Sequence, residues 1–387
     1  MSELLTAAYR CWAEIDFPAL QRNLAAVRTC IGEGTAIMAV VKANAYGHGM
    51  VEVVRALSDR VEMFGVANLS EARALHAVAG GSASRIYILG PALPGERPEI
   101  VKHGFVPAVS NAEEAAAYSA LAMAETERQK PAAKFSIHLT IDTGMGRIGV
   151  WQDEAVAAAR DILKLPGVKI TGFASHLPVS DEDDAFTHAE LVRFRALVIE
   201  LRALGLESAI AHIENSAGII GFSSQAGDLV RAGLMLYGSS PRPDFQSKLM
   251  PVLTWKSRVT LVRDVPAGRG ISYGRTFITP KPMRIATLGV GYADGYPRHL
   301  SGKNAEVLIR GSRCAVLGRV TMDQILVDVS AWPDVAPGEE VVLLGQQGRQ
   351  EILAAELAEK AGSIPWEIFT GIGTRVVRIP ASCQTLR

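Results

Sequence analysis

Two hydrophobic periods alternate along the chain up to about residue 240. Short β-branched or apolar runs occupy residues 37–41, 63–67, 86–89, 105–109, 135–141, 170–174, 209–213 and 229–236. Between them, at 70–79, 112–127, 154–163 and 185–204, apolar residues recur three and four apart. Continuous apolar runs suit strands covered on both faces, and the wider spacing suits helices packed along one stripe. A first helix precedes them: Asp16 caps it, Pro18 lies in its first turn, and Leu20, Leu24, Val27 and Ile31 share a face. Eight strands alternating with helices predict a parallel (β/α)8 barrel of the TIM type over residues 15–245. A doubly wound open sheet shares this grammar, because a one-dimensional pattern carries neither strand order nor closure.

Beyond Pro241, Pro243 and Pro251 the pattern changes. Strand-like runs at 259–262, 285–290, 307–309, 325–329 and 341–344 are separated by turn dipeptides such as Asp294-Gly295 and Pro337-Gly338, and only 351–361 has helical spacing. Residues 246–387 therefore read as a β-rich C-terminal domain, and residues 1–14 as an N-terminal strand joining it.

Composition narrows the class. The 387 residues carry 40 basic and 40 acidic side chains, which argues against a basic surface for nucleic acid or an anionic membrane. No uncharged apolar run reaches the roughly 18 residues of a membrane span. The first 17 residues contain Glu3, Arg10, Glu14 and Asp16 and no apolar stretch of signal-peptide type. Cys11, Cys30, Cys314 and Cys383 form no paired spacing, so neither a metal site nor a disulfide framework is expected. A cytoplasmic protein without a structural metal follows from these features.

The polar residues at strand ends carry the chemistry. The first barrel strand runs into Lys42, followed by Tyr46, Gly47 and Gly49. A lone lysine there commonly snorkels to solvent. At the C-terminal rim of a barrel, against an apolar wall, it can instead be held as the neutral amine that Schiff-base chemistry requires. Arg147 follows the fifth strand, His176 the sixth and Ser216 the seventh, and Arg231 and Gly233 fall in the eighth segment. The loops after strands seven and eight commonly hold phosphate, which points to pyridoxal 5'-phosphate as cofactor.

Seven segments in order carry a family resemblance: AVVKANAYGHG around Lys42, DTGMGRIG around Arg147, NSA at Ser216, VRAGLMLYG around Arg231, SYGRTF around Tyr273, GYADGYPR around Tyr292 and GRVTMDQ around Met322. The chain resembles the alanine racemases, from about Tyr9 to Ile379. That resemblance implies an isomerase that interconverts L- and D-alanine, supplying or using D-alanine for peptidoglycan. It implies that Lys42 binds the cofactor and is one base, and that Tyr273 is the base on the opposite face, with His176 beside it. Arg231 would face the pyridine nitrogen, while Tyr46, Ser216, Gly233 and Leu234 surround the phosphate. Arg147 and the backbone of Met322 would hold the substrate carboxylate, with Asp323 in support. Tyr292, Arg298 and Arg319 match the family's substrate entrance. The family pattern also implies a homodimer in which each site draws Tyr273 from the other chain.

Two positions depart from that pattern. Thr140 stands where many members have a lysine supporting the substrate arginine, and Trp366 stands where tyrosine narrows the entrance. The second departure leaves room for a broader amino-acid or serine racemase. A decarboxylase of the same architecture would place a glutamate where this chain has Arg231. A non-enzymatic pyridoxal-phosphate carrier would lack the β-rich domain.

Overall fold

The computed structural model describes residues 9–79, 85–128, 134–222 and 227–381, so Glu3 and Cys383 lie outside it. Eight strands form a parallel sheet in the spatial order Leu229–Ala232, Ala36–Val40, Met63–Val66, Ile86–Ile88, Val106–Val109, Phe135–Asp142, Val168–Ala174 and Ile210–His212. The two end strands meet across a seam bridged by single bonds: Asp228 N–H donates to Ala211 O (2.9 Å) and Arg231 N–H to Glu214 O (3.0 Å). The sheet is a barrel with its helices outside, and the open-sheet alternative falls. Met38, Met63, Tyr87, Val106, Ala108, Ala174 and Leu229 pack together inside it, while alternate residues such as Ile37, Phe64 and Ile88 join the core under the helices.

Local rules account for the elements. The first helix, Phe17–Ile31, starts where Asp16 Oδ1 accepts the Ala19 N–H at 2.8 Å. The eighth strand ends at Ala232 and not, as the apolar run suggests, at residue 236. Gly233 takes φ −120°, ψ −99°, which turns the chain, and Leu234–Tyr237 coil into a 3-10 turn. Tyr237 then donates its hydroxyl to Val40 O (2.8 Å), tying that turn to the first strand.

The C-terminal half forms a second sheet. In spatial order it contains Gln350–Ile352, Glu340–Gln347, Glu306–Ile309, Ser312–Leu317, Ile325–Asp328, Met283–Leu288, Leu253–Val265, Cys11–Ile15 and Val377–Pro380. The 13-residue strand Leu253–Val265 also pairs with Glu340–Gln347, so the sheet curls onto itself. Cys11–Ile15 joins it antiparallel to Leu253–Val265 and parallel to Val377–Pro380. The sequence pattern underestimates the helices here: Ala354–Ala361 is followed by Pro365–Gly371, whose proline opens the first turn.

Candidate active site

Lys42 is half-buried where the first barrel strand ends. The four residues after it, Ala43 to Tyr46, all have positive φ, between 52° and 55°, although none is glycine. Such a left-handed turn costs about 1–2 kcal/mol per residue, so its neighbours must hold it. Glu71 accepts the Ala43 N–H at 2.7 Å through one carboxylate oxygen and the Ala67 N–H at 2.8 Å through the other. Asn44 Oδ1 accepts the Met50 N–H (2.8 Å), and His48 Nδ1 lies 3.1 Å from Ala45 O and 2.9 Å from Tyr46 O. Arg378, from the C-terminal sheet, donates to Gly47 O at 2.9 Å. Gly47 is obligatory because a Cβ there would lie 2.3 Å from Phe369 O. The outcome is a lysine fixed at the cavity wall with its pKa lowered, first by burial and then by the Arg147 and Arg231 guanidiniums; Glu71 opposes the shift.

Arg147 lies on the loop after Phe135–Asp142. Asp142 organises that loop: its Oδ1 accepts the N–H of Gly144 (2.9 Å) and Gly146 (3.1 Å), and its Oδ2 the N–H of Arg147 (3.1 Å). Thr140 lies buried in the same wall, beside Tyr87. Where the lysine is missing, the arginine is thus placed through its backbone. Behind the loop, Thr143 Oγ1 donates to Glu190 Oε1 at 2.6 Å and lies 2.7 Å from Ser175 Oγ, joining two strand ends to a helix.

Arg231 is 5% exposed. Its guanidinium donates to the carbonyls of His212 (3.0 Å), Ser175 (2.6 Å) and Ile213 (2.8 Å) and to Nδ1 of His212 (2.7 Å) and His176 (3.1 Å). No carboxylate is among these partners. Burial, then the positive charges of Arg231, Arg147 and Lys42, push His176 down to about 3, so its ring is neutral. Beside this group, Ser216 Oγ accepts the N–H of Gly233 (3.1 Å) and Met235 (3.3 Å). A Cβ on Gly233 would lie 2.7 Å from the Tyr46 hydroxyl, so glycine keeps this recess open.

These groups line one cavity of about 520 Å³, within the usual size of small-molecule sites. Lys42, Tyr46, Arg147, His176, Ser216, Arg231, Gly233 and Leu234 all face it, with Thr140 and Trp366. The other expected positions are elsewhere. Tyr273 (71% exposed), Met322 (53%), Tyr292, Arg298, Arg319 and Asp323 lie on the surface of the C-terminal half. Several of them adjoin: Ser272 Oγ donates to Arg319 O (2.6 Å), the Ala293 N–H to Met322 O (2.9 Å), and Arg375 to Asp323 (2.9 Å). Glu71, Asp142, His212 and Arg378 escaped the sequence reading. Only Asp142 had a signal there, as an acidic residue at a strand end before two glycines.

A barrel whose rim gathers a lysine of lowered pKa, a buried arginine and a glycine-lined recess around one cavity, joined to a β-rich domain, defines an enzyme of two-domain architecture with a small-molecule site. Comparison with known proteins makes the assignment specific. The alanine racemase N-terminal domain matches residues 15–241 and its C-terminal domain residues 252–380. The chain is 42% identical over 371 residues to the alanine racemase of Halothermothrix orenii, covering 95% of this chain and 96% of that one. It is equally 42% identical, over 372 residues, to that of Symbiobacterium thermophilum, with the same coverage. Among solved structures, the Clostridium difficile alanine racemase superposes with a TM-score of 0.87 at 32% identity, covering 97% of this chain and 96% of that one. The Bacillus anthracis alanine racemase with bound L-Ala-P gives 0.85 at 32% identity, covering 97% and 95%. The chain belongs to the alanine racemase family.

Proposed function

We infer that this enzyme interconverts L-alanine and D-alanine with pyridoxal 5'-phosphate, by a two-base mechanism, in a cytoplasmic homodimer. The observation that carries the reading is the convergence of Lys42, Arg147 and Arg231 on one cavity that also includes the recess of Tyr46, Ser216 and Gly233. The donor set fits the cofactor: the hydroxyls of Tyr46 and Ser216, with the backbone around Gly233 and Leu234, would hold its phosphate, and Lys42 Nζ would attach it. When bound, pyridoxal phosphate supplies an electron sink that makes the substrate Cα proton removable.

The side chains then divide the work. Burial and two guanidiniums favour the neutral form of Lys42, the form that accepts a proton from Cα. Tyr273 serves the opposite face of the same carbon. Arg147 and the backbone of Met322 hold the substrate carboxylate, and Asp323, Tyr292, Arg298 and Arg319 frame the approach. Arg231 stays protonated and gives up no proton, so facing the pyridine nitrogen it would not protonate it, which would disfavour side reactions. Its partners include no carboxylate, which also speaks against the decarboxylase alternative.

A single chain leaves Tyr273 and Met322 exposed and outside the cavity, and a second copy completes it. D-alanine made or consumed this way supplies or draws on peptidoglycan synthesis. The cytoplasmic location is supported by the free thiols of Cys11, Cys30 and Cys314. Among the described residues no helix is long and apolar enough to cross a membrane.

Complementation tests the reading. Lys42→Ala and Tyr273→Phe should each abolish racemisation, while Tyr273→Phe keeps the bound cofactor's visible absorbance. Mixed and reassembled, the two inactive chains should recover roughly a quarter of native activity, because half the dimers carry one intact site. No recovery despite demonstrated chain exchange would refute the shared site. Because Trp366 lines the cavity, solvent-deuterium incorporation should be measured with each L-amino acid to decide between alanine alone and a broader range.

A further inference from the structure

A guanidinium has no acceptor, so an imidazole nitrogen that meets it carries no proton. His212 Nδ1 is 2.7 Å from one Arg231 nitrogen and His176 Nδ1 3.1 Å from another. Both neutral rings therefore carry their proton on Nε2. His212 Nε2 lies 3.0 Å from His138 Nδ1, so His212 donates there, and His138 in turn keeps its own proton on Nε2. One arginine thereby sets the tautomer of three histidines.

The barrel interior is shaped for this chain. Tyr87 packs its ring 4.9 Å from His138 and, edge-on, 5.3 Å from His212. The strand register shifts between Ile137 and His138, which brings His138 opposite Gly172. A Cβ at Gly172 would lie 2.7 Å from His138 Nε2, so a glycine is what lets the ring lie there. His138 is 2% exposed and His212 fully buried. Burial, then the charge of Arg231, pushes His138 down to about 3 and His212 well below the usual histidine range, which keeps both rings neutral as the chain demands.

We propose that His138 is a positioning residue for Arg231: by accepting from His212 Nε2 it fixes the imidazole that holds the guanidinium at the cavity floor. The inference rests on the reading of Arg231 as the group facing the cofactor's pyridine nitrogen. Without His138 the His212 N–H is buried without a partner, and the ring can turn away from the arginine.

The experiment compares the native chain with His138→Phe, which keeps a ring against Tyr87 but has no acceptor, and His138→Asn, whose amide oxygen stands near the Nδ1 position. Nitrogen-15 spectra of histidine-labelled, cofactor-free native protein at neutral pH should show His138 and His212 as Nε2–H tautomers. With cofactor bound, His138→Phe should lower kcat about tenfold, leave KM for alanine nearly unchanged and shift the visible band. His138→Asn should restore kcat and band together. Nδ1–H signals from the native rings would overturn the proposal, as would Phe and Asn variants that match each other in kcat and band. The tautomer measurement needs no variant to fold, and it decides even if pyridoxal phosphate proves not to be the cofactor.

Discussion

The left-handed turn after Lys42 makes a quantitative prediction about Glu71. Four residues in that conformation store roughly 4–8 kcal/mol at the usual cost for non-glycine residues. Glu71 offsets part of this through two charge-assisted bonds, to Ala43 N–H and Ala67 N–H. The carboxylate is half-exposed, so each bond is valued at the low end for a charged acceptor, about 1.5 kcal/mol. Glu71→Gln keeps one acceptor and turns an amide N–H toward the other backbone donor. It should lose about 1.5 kcal/mol, or about tenfold in kcat/KM. Glu71→Ala removes both bonds and should lose about 3 kcal/mol, or two orders of magnitude. A second readout separates positioning from general damage. Glu71 is the charge that opposes the lowering of the Lys42 pKa, so removing it lowers that pKa further. The neutral amine then persists to lower pH, and the acid limb of pyridoxal-phosphate capture by cofactor-free enzyme should move to lower pH. A folded Glu71→Ala enzyme with less than a threefold loss, or an acid limb that moves to higher pH, would refute the reasoning.

Other substitutions follow from the same geometry. Gly233→Ala puts a methyl 2.7 Å from the Tyr46 hydroxyl and should release the cofactor on gel filtration while the barrel stays folded by circular dichroism. Asp142→Ala frees three N–H groups of the Arg147 loop and should raise KM for alanine about tenfold with little change in kcat. Trp366→Tyr should change the ratio of alanine to serine racemisation, and an unaltered ratio would remove Trp366 from specificity. Acid should unfold the cofactor-free protein through His48, His138 and His212, which burial keeps neutral, His48 down to about 4. The unfolded chain binds these protons below about 6.5, so stability falls as pH drops from there toward 4, by about 1.4 kcal/mol per unit per histidine. Urea midpoints that stay level over that window would contradict this.

What was legible in the sequence is what the barrel geometry makes periodic. Strand ends recur with the fold, so Lys42, Arg147, His176, Ser216 and Arg231 group together from the sequence alone, and all five face one cavity. The supports of those residues were not legible, because they depend on contacts without a period. No glycine marks Ala43 to Tyr46 as left-handed, and Arg378 reaches Gly47 across 331 positions. His138 reads as one more residue of an apolar strand until the register shift opposite Gly172 brings it to His212. The run from 229 to 236 misled for a local reason, since hydrophobicity is the same in a buried strand and in a buried turn.

The two halves of the chain are less separable than their sequence patterns suggest. Cys11–Ile15 precedes the barrel but pairs within the C-terminal sheet, and Ala381 N–H donates to Ile15 O (2.9 Å) just before the first helix. On the other side, Phe369 O crowds Gly47 and Arg378 holds its carbonyl, so the turn that carries Lys42 is shaped by the C-terminal half of the same chain. Arg378 is itself fixed, donating to the carbonyls of Ile372, Gly373 and Val376 at 2.6 Å each. Strain stored in a left-handed turn persists only where the surroundings determine it, and here they come from both halves. An isolated barrel would keep its eight strands and still lose the lysine geometry, since the groups that press on Gly47 would be gone.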